Sequence, residues 1–191
     1  MHSNAPLNGD YIAELGGRNV GKYSVDIEYK RYLNFASHMY WKPVLSYFMG
    51  ERIVIREIVS KTLIVGYTAD LVLFNKSCYV VKSANKDISN VFLLALLNSS
   101  VIGFFVRNTG DKSKQILFPR ITMRTLKSLP IPTASNANKS IINAIEHLAT
   151  ELISIKKMDK HIDTIREEKD IDQLVYQLYE LTPEEIAIIE K

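Results

Sequence analysis

The chain has 191 residues, 47% of them hydrophobic and 24% charged. That is enough for one domain with a sizeable core plus an appendage, too short for two full enzymatic domains, and too apolar for a disordered chain. The net charge of +3 hides an asymmetry: residues 1–130 carry 17 Lys+Arg and 9 Asp+Glu, a net of +8, whereas residues 131–191 carry 7 and 12, a net of −5. A basic body suits a polyanionic partner, and the acidic tail points to a different task. The one cysteine, Cys78, excludes an intrachain disulfide framework and fits a reducing, cytoplasmic setting. Residues 2–9 contain no apolar run, so no leader is expected, and the first five residues read as a flexible arm.

In chain order, Tyr11 to Pro43 is aromatic-rich and punctuated by Gly16-Gly17 and Gly21, and reads as loops and short strands. Ile53 to Ile58 is a strand covered on both faces in its middle. Leu63–Tyr67, Leu71–Phe74 and Tyr79–Val81 are further short strands, with Asn75-Lys76-Ser77 as a hairpin turn between the last two. The most apolar stretch, Val91 to Val106, spans 16 residues and holds Asn98, Ser99, Ser100 and Gly103. A membrane span needs about 20 predominantly apolar residues, so this stretch reads as one buried helix, Asn90 to Val106, capped by Ser89. Arg107 to Lys114 reads as a polar loop, Ile116 to Phe118 as a short strand, and Leu129-Pro130-Ile131-Pro132 as an extended segment.

After the polar linker Thr133 to Asn138, apolar residues recur at Ile141, Ile145, Leu148, Leu152, Ile155, Met158, Ile162 and Ile165. The steps of three and four predict a rod of about 45 Å whose stripe exceeds what a small body can cover. Ile141, Ile145, Leu148, Leu152, Ile155, Ile162 and Ile165 are therefore an expected helix interface. Asp170 with Gln173, and Thr182-Pro183-Glu184-Glu185, are capping-box patterns that predict two short closing helices, 171–179 and 183–190. The division is a basic domain over 1–132 and a helical region over 133–191.

Catalytic signatures are scarce. No two glycines have the spacing of a phosphate loop, there is no cysteine pair or H-E-x-x-H for zinc, and no serine nucleophile elbow. His147 and His161 stand 14 residues apart and read as solvated edge residues. Glu28-Tyr29-Lys30, with Asp26 and Asp10 upstream, has the form of a metal-dependent nuclease tripeptide, but such tripeptides arise often by chance. Cys78 reads as a small buried hydrophobe. Binding equipment remains: Arg18 and Lys22 in the glycine-rich approach, Arg52 and Arg56 flanking a strand, and Lys112, Lys114, Gln115, Arg120 and Arg124 around the polar loop. Such side chains hold phosphates as charges and can reach base edges in the major groove.

The order of GRNVGKYSV (17–25), GERIVIREI (50–58), FLLALLNSSVIGFFV (92–106), LFPRITMRTLKSLPIP (117–132) and IDQLVYQLYELTPEEIAIIE (171–190) resembles the C-terminal specificity region of type IIG restriction–modification enzymes, the TaqI-like specificity domain. It is also similar to half of a type I specificity subunit. The resemblance implies an α/β (α+β) fold: a mixed, β-rich target-recognition domain with a buried helix, then a long spacer helix and two short helices. It implies sequence-specific recognition of double-stranded DNA on behalf of an adenine methyltransferase or endonuclease domain in the same or another chain. The Asn-Pro-Pro-aromatic motif and the glycine-rich cofactor loop of that chemistry are missing here, so S-adenosylmethionine and Mg²⁺ would belong to other domains and this chain is expected to hold neither cofactor nor catalytic residue. Two alternatives stay open: a type I-like subunit that forms a homodimer through its rod, and a protein-interaction module with an incidental basic face.

Overall fold

The computed structural model of the chain describes residues 2–28, 30–35, 44–109 and 120–191. Among the described residues nine strands form three sheets. The strands are β1 (His2–Ser3), β2 (Tyr11–Leu15), β3 (Val20–Gly21), β4 (Ser24–Val25), β5 (Arg31–Asn34), β6 (Arg52–Arg56), β7 (Val65–Thr68), β8 (Leu73–Phe74) and β9 (Cys78–Val81). The first sheet runs β1-β5-β2-β8. Its pairs are antiparallel except β2–β8, which is parallel with Glu14 opposite Leu73 and Leu15 opposite Phe74. The residues read as a flexible N-terminal arm thus contribute an edge strand.

The second sheet is antiparallel, β7-β6-β9, with β6 in the middle. The run Ile53-Val54-Ile55 has no polar face to turn outward, and all three side chains are buried. β8 and β9 do not pair as the expected hairpin. They lie in different sheets, and Asn75–Ser77 is the turn at which the chain changes sheet: the Asn75 amide oxygen accepts from Ser77 N (3.0 Å), and Asn75 O accepts from Cys78 N (3.2 Å).

The third sheet is the hairpin β3–β4, which lies against β7 because position 66 is glycine. A Cβ there would stand 2.3 Å from Ser24 O. At the hairpin tip Tyr23 adopts φ 62°, a conformation that costs a side chain about 1–2 kcal/mol. Its ring is buried and its N–H donates to Val65 O (2.9 Å), which hold it there.

Among the described residues six helices follow the sheets: α1 (Asn90–Asn98), α2 (Ser100–Thr109), α3 (Met123–Lys127), α4 (Lys139–Met158), α5 (Ile165–Leu178) and α6 (Pro183–Ile189). Ser89 caps α1, accepting from Phe92 N at 3.0 Å. The helix expected over 90–106 is broken at Ser99, where α1 and α2 bend by 63°, and α2 runs on through Arg107, which was expected in a loop. The Ser99 hydroxyl donates back to Leu96 O, and Asn98 turns its amide onto β7, accepting from Val65 N (3.0 Å) and donating to Val65 O (2.9 Å). Asn98 thereby pairs with the sheet edge as a strand residue would. Gly103 then lets α2 approach the 61–62 loop, since a Cβ would lie 2.9 Å from Lys61 O.

The expected rod is also broken. α4 ends at Met158 and has 20 residues, about 30 Å. Aspartates compete for backbone beyond it: Asp159 Oδ1 accepts from His161 N and Asp163 Oδ1 from Ile165 N. The chain reverses and α5 returns, starting six residues before its expected position. Ile145 and Leu152, expected on an intermolecular interface, are fully buried in one core with Ile53, Phe92, Leu96 and Val175. Ile141 and Leu148 pack against that core, Ile155 is half-buried, and Ile162 and Ile165 are exposed. α6 opens with the expected capping box between Thr182 and Glu185. No single described helix is long and apolar enough to cross a membrane.

Candidate nucleic-acid interface

An open cleft of about 570 Å³ lies where the ends of β2 and β6 meet the Asn75–Ser77 turn. Its lining includes Arg18, Arg31, Arg56, Glu14, Asn75 and Ser77. Each is placed by a strand end or a turn. Arg18 sits exposed in the Gly17–Asn19 3₁₀ turn, which is pinned by Gly17 N donating to Ser77 Oγ (2.8 Å) and Gly16 N donating to Asn19 Oδ1 (3.1 Å). Arg56 is the last residue of the central strand β6, half-buried, with its stem against Gly17. Arg31 lies directly across from Glu14 in the β2–β5 pair and donates to its carboxylate (3.0 Å), which His2 also reaches (3.0 Å). Three guanidinium groups and one carboxylate among the lining residues make the cleft electropositive. It can hold a polyanion and offer fork-shaped donors to it.

Of the residues expected to bind, Arg18 and Arg56 line this cleft. Arg120 stands beside it: its backbone bridges Ile58, a lining residue, and its exposed guanidinium approaches Glu57 at 3.6 Å. Arg124 is exposed on the short helix α3. Lys112, Lys114 and Gln115, with the strand expected over 116–118, lie outside the described residues.

One expectation is corrected. Arg52 is fully buried, not a surface cation: its guanidinium donates to Gly50 O (2.7 Å), Asp70 O (2.5 Å) and Val72 O (3.1 Å), and burial lowers its pKa. Its work is to tie the 70–72 loop to β6. Lys22 turns to the helices and pairs with Glu168 of α5 at 2.7 Å. Arg31 and Asn75 were missed. Arg31 follows the Glu-Tyr-Lys tripeptide with no motif of its own, and only the strand register sets it opposite Glu14.

The nuclease-like carboxylates have other partners. Asp26 and Glu28 both accept from Lys160 (2.8 and 2.9 Å), and the Lys160 ammonium holds the Asp26 carboxyl below its usual range. Lys30 lies over the Tyr32 ring. Among the described residues no three His, Cys, Asp or Glu side chains come together to hold a metal. Burial pushes the Cys78 thiol up to about 11, so it is protonated at neutral pH.

Residues 13–131 match the family of TaqI-like C-terminal specificity domains. A relative from Methanocaldococcus jannaschii, named "Putative type II restriction enzyme and methyltransferase", is 30% identical over 184 residues. That alignment covers 93% of this chain and 15% of the relative. Among solved structures, the type IIL restriction–modification enzyme MmeI, determined in complex with DNA, superposes with a TM-score of 0.62 at 12% identity. The superposition covers 91% of this chain and 28% of MmeI, so the shared fold includes the helical region as well as the sheets. The chain spans a small part of both proteins and belongs to the family of TaqI-like C-terminal specificity domains.

Proposed function

We propose that this chain is a target-recognition domain that docks on double-stranded DNA through the Arg18–Arg31–Arg56 cleft and directs a restriction–modification enzyme to its site. The observation that carries the reading is the convergence of three arginines from separate elements, β5, β6 and the 17–19 turn, on one open cleft inside the family-matched segment. Arg120 extends the basic surface at its edge, and Lys112 and Lys114 precede it in the chain. Phosphate contacts register a duplex and base contacts select it, so a domain can do both and leave chemistry to a partner. The methyltransferase or endonuclease portion, with its S-adenosylmethionine and Mg²⁺, then lies in residues outside this chain, as the relative's length and name suggest.

The helical region is the natural docking part for that portion. Burial of Ile145 and Leu152 inside the chain weighs against a homodimer built on the whole stripe. The part of the stripe left open is the α4–α5 turn, where Met158, Ile162 and Ile165 are 82%, 38% and 60% exposed.

The test is duplex binding by the purified chain, titrated over salt with a random-sequence library. Binding should weaken steeply with salt and enrich a short motif. Replacing Arg18, Arg31 and Arg56 by alanine together should lower the affinity and reduce the slope of log K against log [salt] by about 0.9 for each of the three that neutralises a phosphate. An unchanged affinity and slope in that variant would show that the cleft is not the DNA surface.

A further inference from the structure

We infer that the cleft reads guanine, through the major-groove O6 and N7, and that Arg56 is the side chain that reads it. The inference rests on the proposed DNA-binding role and adds which base is chosen and why.

Among the described residues, the side-chain acceptors that line the cleft are engaged within the chain at Asn75, Ser77 and Asn19 and at one oxygen of the Glu14 carboxylate. Asn75 Oδ1 accepts from Ser77 N (3.0 Å) and Ser77 Oγ (2.5 Å). Because one of those donors is a backbone N–H, the amide orientation is fixed and Asn75 presents its NH₂ side, which lies 2.8 Å from where a Cβ on Gly16 would stand. Ser77 Oγ accepts from Gly17 N, and Asn19 Oδ1 from Gly16 N. Glu14 Oε2 receives Arg31 and His2, and that side chain is only 13% exposed. The donors are what remain: the forks of Arg18 and Arg56, the second edge of Arg31, and the Asn75 amide.

A wall of donors discriminates among base edges. Adenine and cytosine each present an amino donor in the major groove and need an acceptor from the protein. Thymine presents one acceptor beside a methyl group. Guanine alone presents two acceptors at the spacing of an arginine fork. A phosphate also presents acceptors only, and the experiment separates it from guanine.

Among the three arginines, Arg56 is held best for reading. Its backbone N–H is bonded to Ile64 O (3.0 Å), it lies opposite Cys78 of β9, and its stem packs on Gly17. A fork rooted in the central strand of a sheet loses little freedom on binding, which is what discrimination requires. Arg18 stands exposed on a 3₁₀ turn and Arg31 is tethered to Glu14, arrangements that suit phosphate contact.

The experiment uses the motif enriched from the random library and the full chain. Each guanine of the motif is replaced in turn by 7-deazaguanine, which keeps O6 and loses the N7 acceptor, and by hypoxanthine, which leaves the major-groove edge unchanged. One 7-deazaguanine position should weaken wild-type binding roughly 10- to 100-fold. Hypoxanthine at that position should change little. In Arg56→Ala, checked by its melting temperature to be folded, the same 7-deaza substitution should have no further effect. Arg56→Ala should keep the salt slope while losing preference at that position, and Arg18→Ala should lower the slope and keep the preference. A motif without guanine, or a 7-deaza penalty that survives in Arg56→Ala, overturns the inference and leaves the DNA-binding role standing. A steep salt dependence with no motif overturns it in favour of phosphate holding. No binding at low salt overturns the DNA-binding role and the inference with it.

Discussion

Replacing Arg52 by alanine separates a structural arginine from a binding one. The side chain is fully buried and donates three hydrogen bonds to backbone carbonyls, those of Gly50, Asp70 and Val72. Its guanidinium also lies 6.0 Å from the Phe74 ring centre. Hydrogen bonds to a charged group are worth about 1.5–3 kcal/mol each, but burying the guanidinium costs several kcal/mol, and its Nε has no partner. Truncation removes the bonds and leaves the Val72 carbonyl buried without its donor. The net loss should be about 3–5 kcal/mol, the range for breaking a buried charged network. For a chain of this size each kcal/mol shifts the melting temperature by roughly 2–4 °C, so a fall on the order of 10 °C is expected. Arg52→Lys should recover only part of it, because a single ammonium cannot span three carbonyls. The assay is thermal melting beside DNA titration. If Arg52→Ala melts like the wild type and loses DNA affinity with a reduced salt slope, Arg52 is a surface contact and the reasoning is refuted.

Three other outcomes are expected. Asn98→Ala should cost about 1–3 kcal/mol in denaturant unfolding, because the N–H of Val65 loses its acceptor inside the core while its C=O keeps the Tyr23 N–H and loses only its second donor; a loss well below about 1 kcal/mol would mean that α1 does not hold the β7 edge. Gly66→Ala should destabilise the chain and loosen the β3–β4 hairpin, read by faster hydrogen exchange at Val20 to Val25, since the new methyl would meet Ser24 O at 2.3 Å; unchanged exchange would contradict that packing. Asp26 has a folded pKa below its ordinary value, first because of the Lys160 hydrogen bond, so its contribution is present above about pH 4 and fades as pH falls through the folded value. Asp172 is shifted upward by burial and acts in the opposite sense, so the comparison must be by difference: Asp26→Asn should flatten the acid limb of stability against pH relative to wild type, and an unaltered limb would show that the Lys160 contact is not kept in solution.

Local chemistry was legible in the sequence, and pairing across the chain was not. Ser89 and Thr182 were readable as caps because a cap satisfies N–H groups two or three residues away. The fully covered run Ile53–Ile55 was readable from three adjacent apolar side chains. Arg52 stands beside that run and was read as a surface cation, because the carbonyls that bury it belong to residues 18 and 20 positions further on. The stripe from Ile141 to Ile165 kept helical spacing through a turn that contains no glycine or proline, and the break comes from aspartate side chains taking backbone N–H groups. At the cleft, Arg18 and Arg56 were found by residue type. Arg31 and Asn75 needed the register of β2 with β5 and the sheet change at the 75–77 turn.

Of the charge asymmetry that suggested two separate parts, only the Lys22–Glu168 pair is spent inside the chain among the described residues, and the ion pairs that join body and helices fall on one strip. Lys22 meets Glu168 of α5, Lys160 in the α4–α5 turn meets Asp26 and Glu28, and Asp172 of α5 accepts from both the N–H and the hydroxyl of Ser100 at the start of α2. Half-exposed ion pairs of this kind are worth at most about 1 kcal/mol each, so their consequence is positional. The strip 20–28 continues directly from the Gly17–Asn19 turn that forms one wall of the cleft. Asn19 closes the path, accepting from Gly16 N and donating to Asp26 O (2.9 Å), and Asp26 passes it to Lys160. The wall that carries Arg18 is thus joined to the α4–α5 turn by three consecutive hydrogen bonds. A catalytic partner seated on Met158 and Ile165 would bear on the turn that fixes this wall. On the proposed reading, this path would couple the partner's seat to the wall of the cleft through hydrogen bonds within the chain.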